Sequence, residues 1–102
     1  MLLPKNRAPT HPGEILLEEF LKPLGMTQVE LADRIGVSFP RINEIVKGKR
    51  GVTPDTALRL SKLFGTTPDF WLTGQLACDL WNAMHSPEAT KINRIKPVGV
   101  GA

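Results

Sequence analysis

Little in this chain can do covalent chemistry. Cys78 is its single cysteine, tyrosine is absent, and the two histidines, His11 and His85, stand at opposite ends with no second His or Cys at ligand spacing. One cysteine excludes an intramolecular disulfide and gives no sign of an oxidising compartment, so Cys78 reads as a small buried hydrophobe. The isolated histidines give no support to a metal site, and no cofactor is expected. No phosphate-cradling glycine loop, GxSxG elbow or HExxH helix occurs, and no activated nucleophile or carboxylate pair can be assembled; an enzyme is the poorest reading. No apolar run approaches the ~20 residues that span a bilayer. At the N-terminus Leu2 and Leu3 sit among Pro4, Lys5 and Arg7, the wrong order and too short a stretch for a secretory signal. A cytoplasmic protein with no membrane partner is expected.

What is present is the composition of one ordinary soluble domain: 102 residues, 41% hydrophobic and 23% charged. The net charge is a modest +3, and its distribution says more than its total. Between Arg34 and Arg50 five basic residues (Arg34, Arg41, Lys47, Lys49, Arg50) face the single acid Glu44, a local +4. Lys91, Arg94 and Lys96 put +3 on the tail, which leaves −4 for the rest of the chain. Segregated basic charge is what a nucleic-acid face requires, although a merely solvated basic loop has the same composition.

Prolines and glycines punctuate the sequence at the spacing of short helices, and the fold class expected is all-α with five helices. Residues 1–10 read as an N-terminal arm, 11–86 as the domain and 87–102 as a basic flexible tail. The first helix opens on Pro12, carries Glu14 near the positive end of its dipole, buries Ile15, Leu16, Phe20 and Leu21, and stops near Lys22, ahead of Pro23 and Gly25. Thr27-Gln28-Val29-Glu30 is a capping box that starts a second helix with Leu31, Ala32 and Ile35 on one face, ended by Gly36. Ser38 caps a third, in which Ile42, Ile45 and Val46 face the core; Gly48 ends it. Thr53-Pro54-Asp55 and Thr67-Pro68-Asp69 repeat one start signal. The fourth helix is expected to bury Ala57, Leu58, Leu60, Leu63 and Phe64, and Gly65 closes it. The fifth, from about Pro68 to Met84, carries Phe70, Trp71, Leu72, Leu76, Leu80, Trp81 and Met84, more apolar surface than one helical face holds. Trp71 is assigned to the core, and Leu80, Trp81 and Met84 to contact with a second copy, since interfaces are enriched in tryptophan. Ile92, Ile95 and Val98 give a weak signal for a short C-terminal extended segment before a disordered glycine-rich end.

Helices two and three must meet at a steep angle across a short turn. That geometry needs a small residue at the crossing, a glycine in the turn and a branched apolar anchor, which Ala32, Gly36 and Ile42 supply. It leaves the start of helix three exposed, where side chains can meet base edges. Here the sequence resembles the lambda-repressor/Cro-like helix-turn-helix superfamily, through Thr27-Gln28-Val29-Glu30-Leu31-Ala32 and then Gly36, Val37, Ser38, Ile42, Ile45 and Gly48-Lys49. A narrower resemblance, to HigA/VapI-type antitoxins, runs through His11-Pro12-Gly13-Glu14-Ile15-Leu16, Ile42-Asn43-Glu44-Ile45-Val46, Gly48-Lys49-Arg50 and Thr67-Pro68-Asp69-Phe70-Trp71-Leu72. The resemblance implies a homodimer that represses its own operon at an inverted-repeat operator and binds a small basic toxin of the RelE-like messenger-RNA-cleaving class. The acidic remainder of the surface, with Glu14, Glu18 and Glu19 on helix one, would steer such a basic partner. A free-standing regulator without a toxin, and a protein-interaction module that reads no DNA, are the alternatives.

The expected DNA face comprises Gln28, Ser38, Phe39, Pro40, Arg41, Asn43, Glu44, Lys47, Lys49 and Arg50. Arg41 is placed to bond guanine O6 and N7 or, equally, a phosphate. Phe39 either touches a thymine methyl or staples back onto its helix, and Asn43 and Glu44 point to the groove or to water. Gln28 and the amides at the start of helix two are expected on a phosphate, as are Lys47, Lys49 and Arg50. Because phenylalanine at the helix start cannot make the bidentate contacts of Gln or Asn to adenine, the operator sequence is not readable from the resemblance. Gly74 and Gln75 are expected to interrupt the fifth helix.

Overall fold

The computed structural model describes residues 7–99; residues 1–6, which hold the Leu2, Leu3 and Lys5 of the signal-sequence argument, and residues 100–102 of the glycine-rich end lie outside the described residues. The described residues form six helices and no strand. α1 is one helical run made of Pro12–Ile15, the π-helical Leu16–Leu21 and Lys22–Leu24. α2 is Gln28–Ile35, α3 Phe39–Val46, α4 Pro54–Phe64, α5 Pro68–Met84 and α6 Ala89–Asn93. Among the described residues no helix is long and apolar enough to cross a membrane.

The start signals act as capping chemistry dictates. Thr27, Ser38, Thr53 and Thr67 each accept a backbone N–H three residues on, and Glu30 closes the box by accepting from the Thr27 N–H at 3.4 Å. Two helix ends differ from expectation. α1 does not stop at Lys22 but passes through Pro23 to Leu24. The Lys22 N–H donates to the Leu17 carbonyl five residues back, and this wider π-turn relaxes the clash a proline ring makes with an α-helical turn. The C-terminal residues Ala89–Asn93 coil into α6 instead of extending, so Ile92 belongs to a helix while Ile95 and Val98 follow it in irregular backbone. The proposed boundary at residue 87 therefore precedes a helix and not a structureless tail.

The core is built around Trp71, 1% exposed, with Leu16, Leu21, Leu31, Ile42, Ile45 and Leu60 buried beside it. Phe20 lies 4.8 Å from Phe64 and 5.2 Å from Trp71 between ring centroids, in the tilted geometry aromatic quadrupoles favour. The indole N–H of Trp71 donates to Thr66 Oγ1 at 2.8 Å, so its burial strands no donor. Leu58 is the exception to the expected fourth-helix core: at 57% exposure it lies on the outer side of α4.

α5 is not interrupted at Gly74 and Gln75. Gly74 lets the Pro12 ring approach, a Cβ there standing 3.4 Å from Pro12 Cγ, and Gln75 Oε1 accepts the Val52 N–H at 2.9 Å to pin the loop after α3. Cys78 donates its thiol to the carbonyls of Pro9 and Thr10 at 3.6 Å, which holds the described end of the arm on α5; burial pushes this thiol pKa up. The closest approach in the fold is at Gly13, where a Cβ would stand 1.7 Å from the Ile45 carbonyl oxygen. In the first turn of a helix Ala is ordinarily better than Gly by about 0.5–1 kcal/mol. Here Gly13→Ala is expected to reverse that sign and destabilise the protein by on the order of 3 kcal/mol, because backbone must move to admit the methyl. A urea midpoint equal to that of the wild type would refute the close approach.

His11 caps α1, accepting the Gly13 N–H at Nδ1 over 2.9 Å. Burial lowers its pKa from 6.5, against a smaller upward pull from Asp79. A folded pKa below the unfolded one means that the stability contribution is complete above about pH 6.5 and declines as pH falls from there through the folded value. The protonated ring also loses the lone pair that caps the helix. The thermal midpoint of the wild type is expected to fall between about pH 7 and pH 5, and His11→Asn, which keeps a side-chain acceptor, to flatten that part of the profile; matching slopes in melts followed by circular dichroism would contradict this.

Candidate nucleic-acid interface

The α2–α3 pair is a helix-turn-helix in its local geometry. Gly36 takes φ 72°, a left-handed conformation in which side chains are strained, and the Gly36 and Val37 N–H groups return to Asp33 and Ala32 at 3.3 and 3.0 Å. This reversal brings Ser38 to its N-cap position and exposes the first turn of α3, while Ala32, Ile35, Ile42 and Ile45 are buried in the common core.

Ser38, Phe39 and Pro40 form that exposed turn. Phe39, 44% exposed, stands at the first helical position, whereas a hydrophobic staple joins the residue before the cap to the fourth helical position. Asn43 is half-buried, and its Nδ2 donates to Gln28 Oε1 at 3.0 Å, tying the middle of α3 to the first residue of α2. Glu44 does not point freely to the groove: its carboxylate takes Arg50 Nη2 at 3.2 Å, and its backbone carbonyl accepts the Lys49 and Arg50 N–H groups at 2.8 and 3.2 Å. Arg50 is therefore folded back on α3, whereas Lys47 and Lys49 stand exposed around Gly48, which has φ 73°.

Arg41 departs most from expectation. Its guanidinium turns towards α4, where Nη2 donates to Asp55 Oδ2 at 3.0 Å and to the hydroxyl of the buried Thr56, and the side chain is only 26% exposed. Both bonds come from Nη2. The same Asp55 oxygen accepts Arg59 Nε at 3.0 Å, and Arg59 Nη1 donates to the Ile35 carbonyl at 2.7 Å. The two arginines hold the Asp55 carboxyl below its usual range, chiefly through these hydrogen bonds. Spacing along α4 discloses one arm, the Asp55–Arg59 pair four residues apart, whereas the bonds to Arg41 and to the Ile35 carbonyl span 14 and 24 residues and are out of its reach.

The residues assigned to a dimer contact separate into two groups. Leu80 and Met84, with Leu76 one turn earlier, form an exposed stripe along α5, and α6 closes it with Ala89 and Ile92 into a groove of about 320 Å³. Trp81 is not on that stripe. It is half-buried facing Ala8, Pro9 and His11, and stacks on the His85 ring at 3.9 Å between centroids.

A family described as Helix-turn-helix matches residues 17–71, which take in α2, the turn, α3 and α4 whole. Virulence-associated protein I of Dichelobacter nodosus is 48% identical over 99 residues, covering 96% of this chain and 90% of that protein. Among solved structures, the antitoxin GraA superposes with a TM-score of 0.85 at 42% identity, over 91% of this chain and all of that one. The Pseudomonas aeruginosa antitoxin HigA, solved with the higBA promoter, gives 0.82 at 37% identity over 88% of this chain and 98% of that one. With a family match over more than half its length, and relatives this similar along nearly all of it, the chain belongs to the lambda-repressor-like helix-turn-helix family, in its HigA/VapI-type branch of DNA-binding regulators and antitoxins rather than enzymes.

Proposed function

We propose that this protein is a DNA-binding antitoxin that dimerises, represses its own operon at an inverted-repeat operator and neutralises a small basic toxin of the RelE-like messenger-RNA-cleaving class. The observation that carries the DNA reading is the exposed first turn of α3, with Lys47 and Lys49 exposed just past the helix's other end, in a chain similar to an antitoxin solved with a promoter. Ser38, Phe39 and Pro40 are the groups placed to meet base edges, Phe39 as an apolar contact for a thymine methyl. Gln28 uses its Oε1 on Asn43, which leaves its amide nitrogen as a donor for a phosphate beside the positive N-terminus of α2. Lys47 and Lys49 neutralise the backbone on the other side, and Arg50 with Glu44 shapes the loop that carries them.

One helix-turn-helix reads few bases, and the apolar stripe of Leu76, Leu80 and Met84 offers the surface on which a second copy would pair. Twofold symmetry then requires half-sites about one helical turn apart. Footprinting on the DNA upstream of the coding sequence is expected to protect an inverted repeat with half-site centres about 34–36 Å apart; a single asymmetric half-site would sink the dimeric reading.

The toxin reading is supported by similarity to proteins named antitoxins and by the charge distribution. Glu14 and Glu19 are exposed on α1, while Glu18 is partly neutralised by Lys22 at 2.8 Å. A basic partner would be drawn to those acids, while operator DNA would meet the exposed first turn of α3. Co-expressed with a tagged product of the adjacent reading frame, the protein is expected to co-elute with it on sizing and still to shift operator DNA. Operator binding without co-elution would leave a regulator with no toxin, and co-elution with operator binding abolished would refute the separation of the two surfaces.

A further inference from the structure

A single carboxylate oxygen connects both helices of the helix-turn-helix. Asp55 Oδ2, at the start of α4, accepts Arg41 Nη2 and Arg59 Nε, each at 3.0 Å. Arg41 belongs to the first turn of α3, and Arg59 reaches the last carbonyls of α2, Ile35 at 2.7 Å and Gly36 at 3.4 Å. Between these two attachments lies the Gly36–Ser38 turn, whose backbone bonds fix its own shape but not the splay of the helices it joins. Arg41 is further anchored on Thr56, a residue with no exposed surface. We propose that Asp55 is a positioning residue for operator binding: through Arg41 and Arg59 it braces the end of α2 against the start of α3 and sets the angle at which α3 meets the groove.

The proposal rests on the reading that α3 binds DNA. It assigns Arg41 to orientation and not to base readout. A surface ion pair adds little to global stability, so orientation is where the brace must be read. Electrostatics alone makes the opposite prediction: removing one acid near a basic face raises affinity for any duplex, because phosphate attraction is non-specific. The sign of the effect is therefore diagnostic.

The test uses the full chain, with Asp55→Asn, Arg41→Ala and the double variant, on operator and random duplexes of equal length at neutral pH, after circular dichroism has verified the fold. Asp55→Asn is expected to weaken operator binding on the order of tenfold, since recognition degrades steeply once a contact set is misplaced by about 1 Å. Random-duplex affinity should stay level or rise, and the double variant should lose no more on the operator than the worse single variant. Operator affinity unchanged or raised by Asp55→Asn would make Asp55 an ordinary surface acid and overturn the proposal. So would a loss in Arg41→Ala paired with a gain in Asp55→Asn, which is the behaviour of a base-reading arginine that Asp55 holds back. Residual dipolar couplings of the α2 and α3 amides, measured without DNA, read the brace directly. They are expected to change relative to those of α4 and α5 in Asp55→Asn, and unchanged couplings would overturn the proposal. If the wild type itself bound no operator, the DNA-binding reading would fail while these couplings still decided the brace.

Discussion

The approach of Gly13 to the carbonyl of Ile45 is the constraint around which the domain is arranged. No side chain fits between the first turn of α1 and the last turn of α3, so the two backbones touch and the end of α3 has one place to lie. His11 caps α1 at this junction and faces the Gly48 turn, where a Cβ would stand 3.9 Å from the imidazole. The sharp loop after α3 is thus seated on the start of α1. Rigidity at that end leaves the opposite end of α3, with Ser38, Phe39 and Pro40, as the part that projects.

The two sides of α5 have different surroundings. One side is a strip of attachments: Gly74 admits Pro12, Gln75 pins Val52 and bonds Asp79 at 3.0 Å, Cys78 holds the arm, and Trp71 fills the core. The other side, Leu76, Leu80 and Met84, is an exposed apolar stripe, and α6 closes a groove over Leu80 and Met84. A helix that collects so many attachments cannot tilt without disturbing each of them. Trp81 belongs with the first side, and this follows from its position one residue, or about 100°, beyond Leu80 on the helix.

The basic segment is less free than its net charge suggests. Arg41 is bonded to Asp55 and Thr56, and the exposed Arg50 to Glu44, while Arg34, Lys47 and Lys49 are exposed too. Charge that is paired inside the molecule shapes the surface, and charge that is unpaired attracts a polyanion.

By itself the sequence determined what depends on neighbours within one or two turns. The capping residues Thr27, Ser38, Thr53 and Thr67, the left-handed glycines at 36, 48 and 65, and the period that puts Leu31, Ile35, Ile42 and Ile45 inward are local physics, and they specified α2 to α5 and the helix-turn-helix between them. The tertiary structure alone decided matters in which distant residues compete for the same atom or the same space. The bond of Arg41 to Asp55 exists only because α4 folds beside α3, and Leu58 satisfied the core period of α4 yet is 57% exposed. Pro23 looked like a stop because the π-turn that accommodates it has no signature in residue types. Gly74 and Gln75 looked like breaks because their reasons, Pro12 and Val52, lie 62 and 23 residues away. Local propensity measures what a residue permits, and which permitted partner it takes is set by the chain that folds against it.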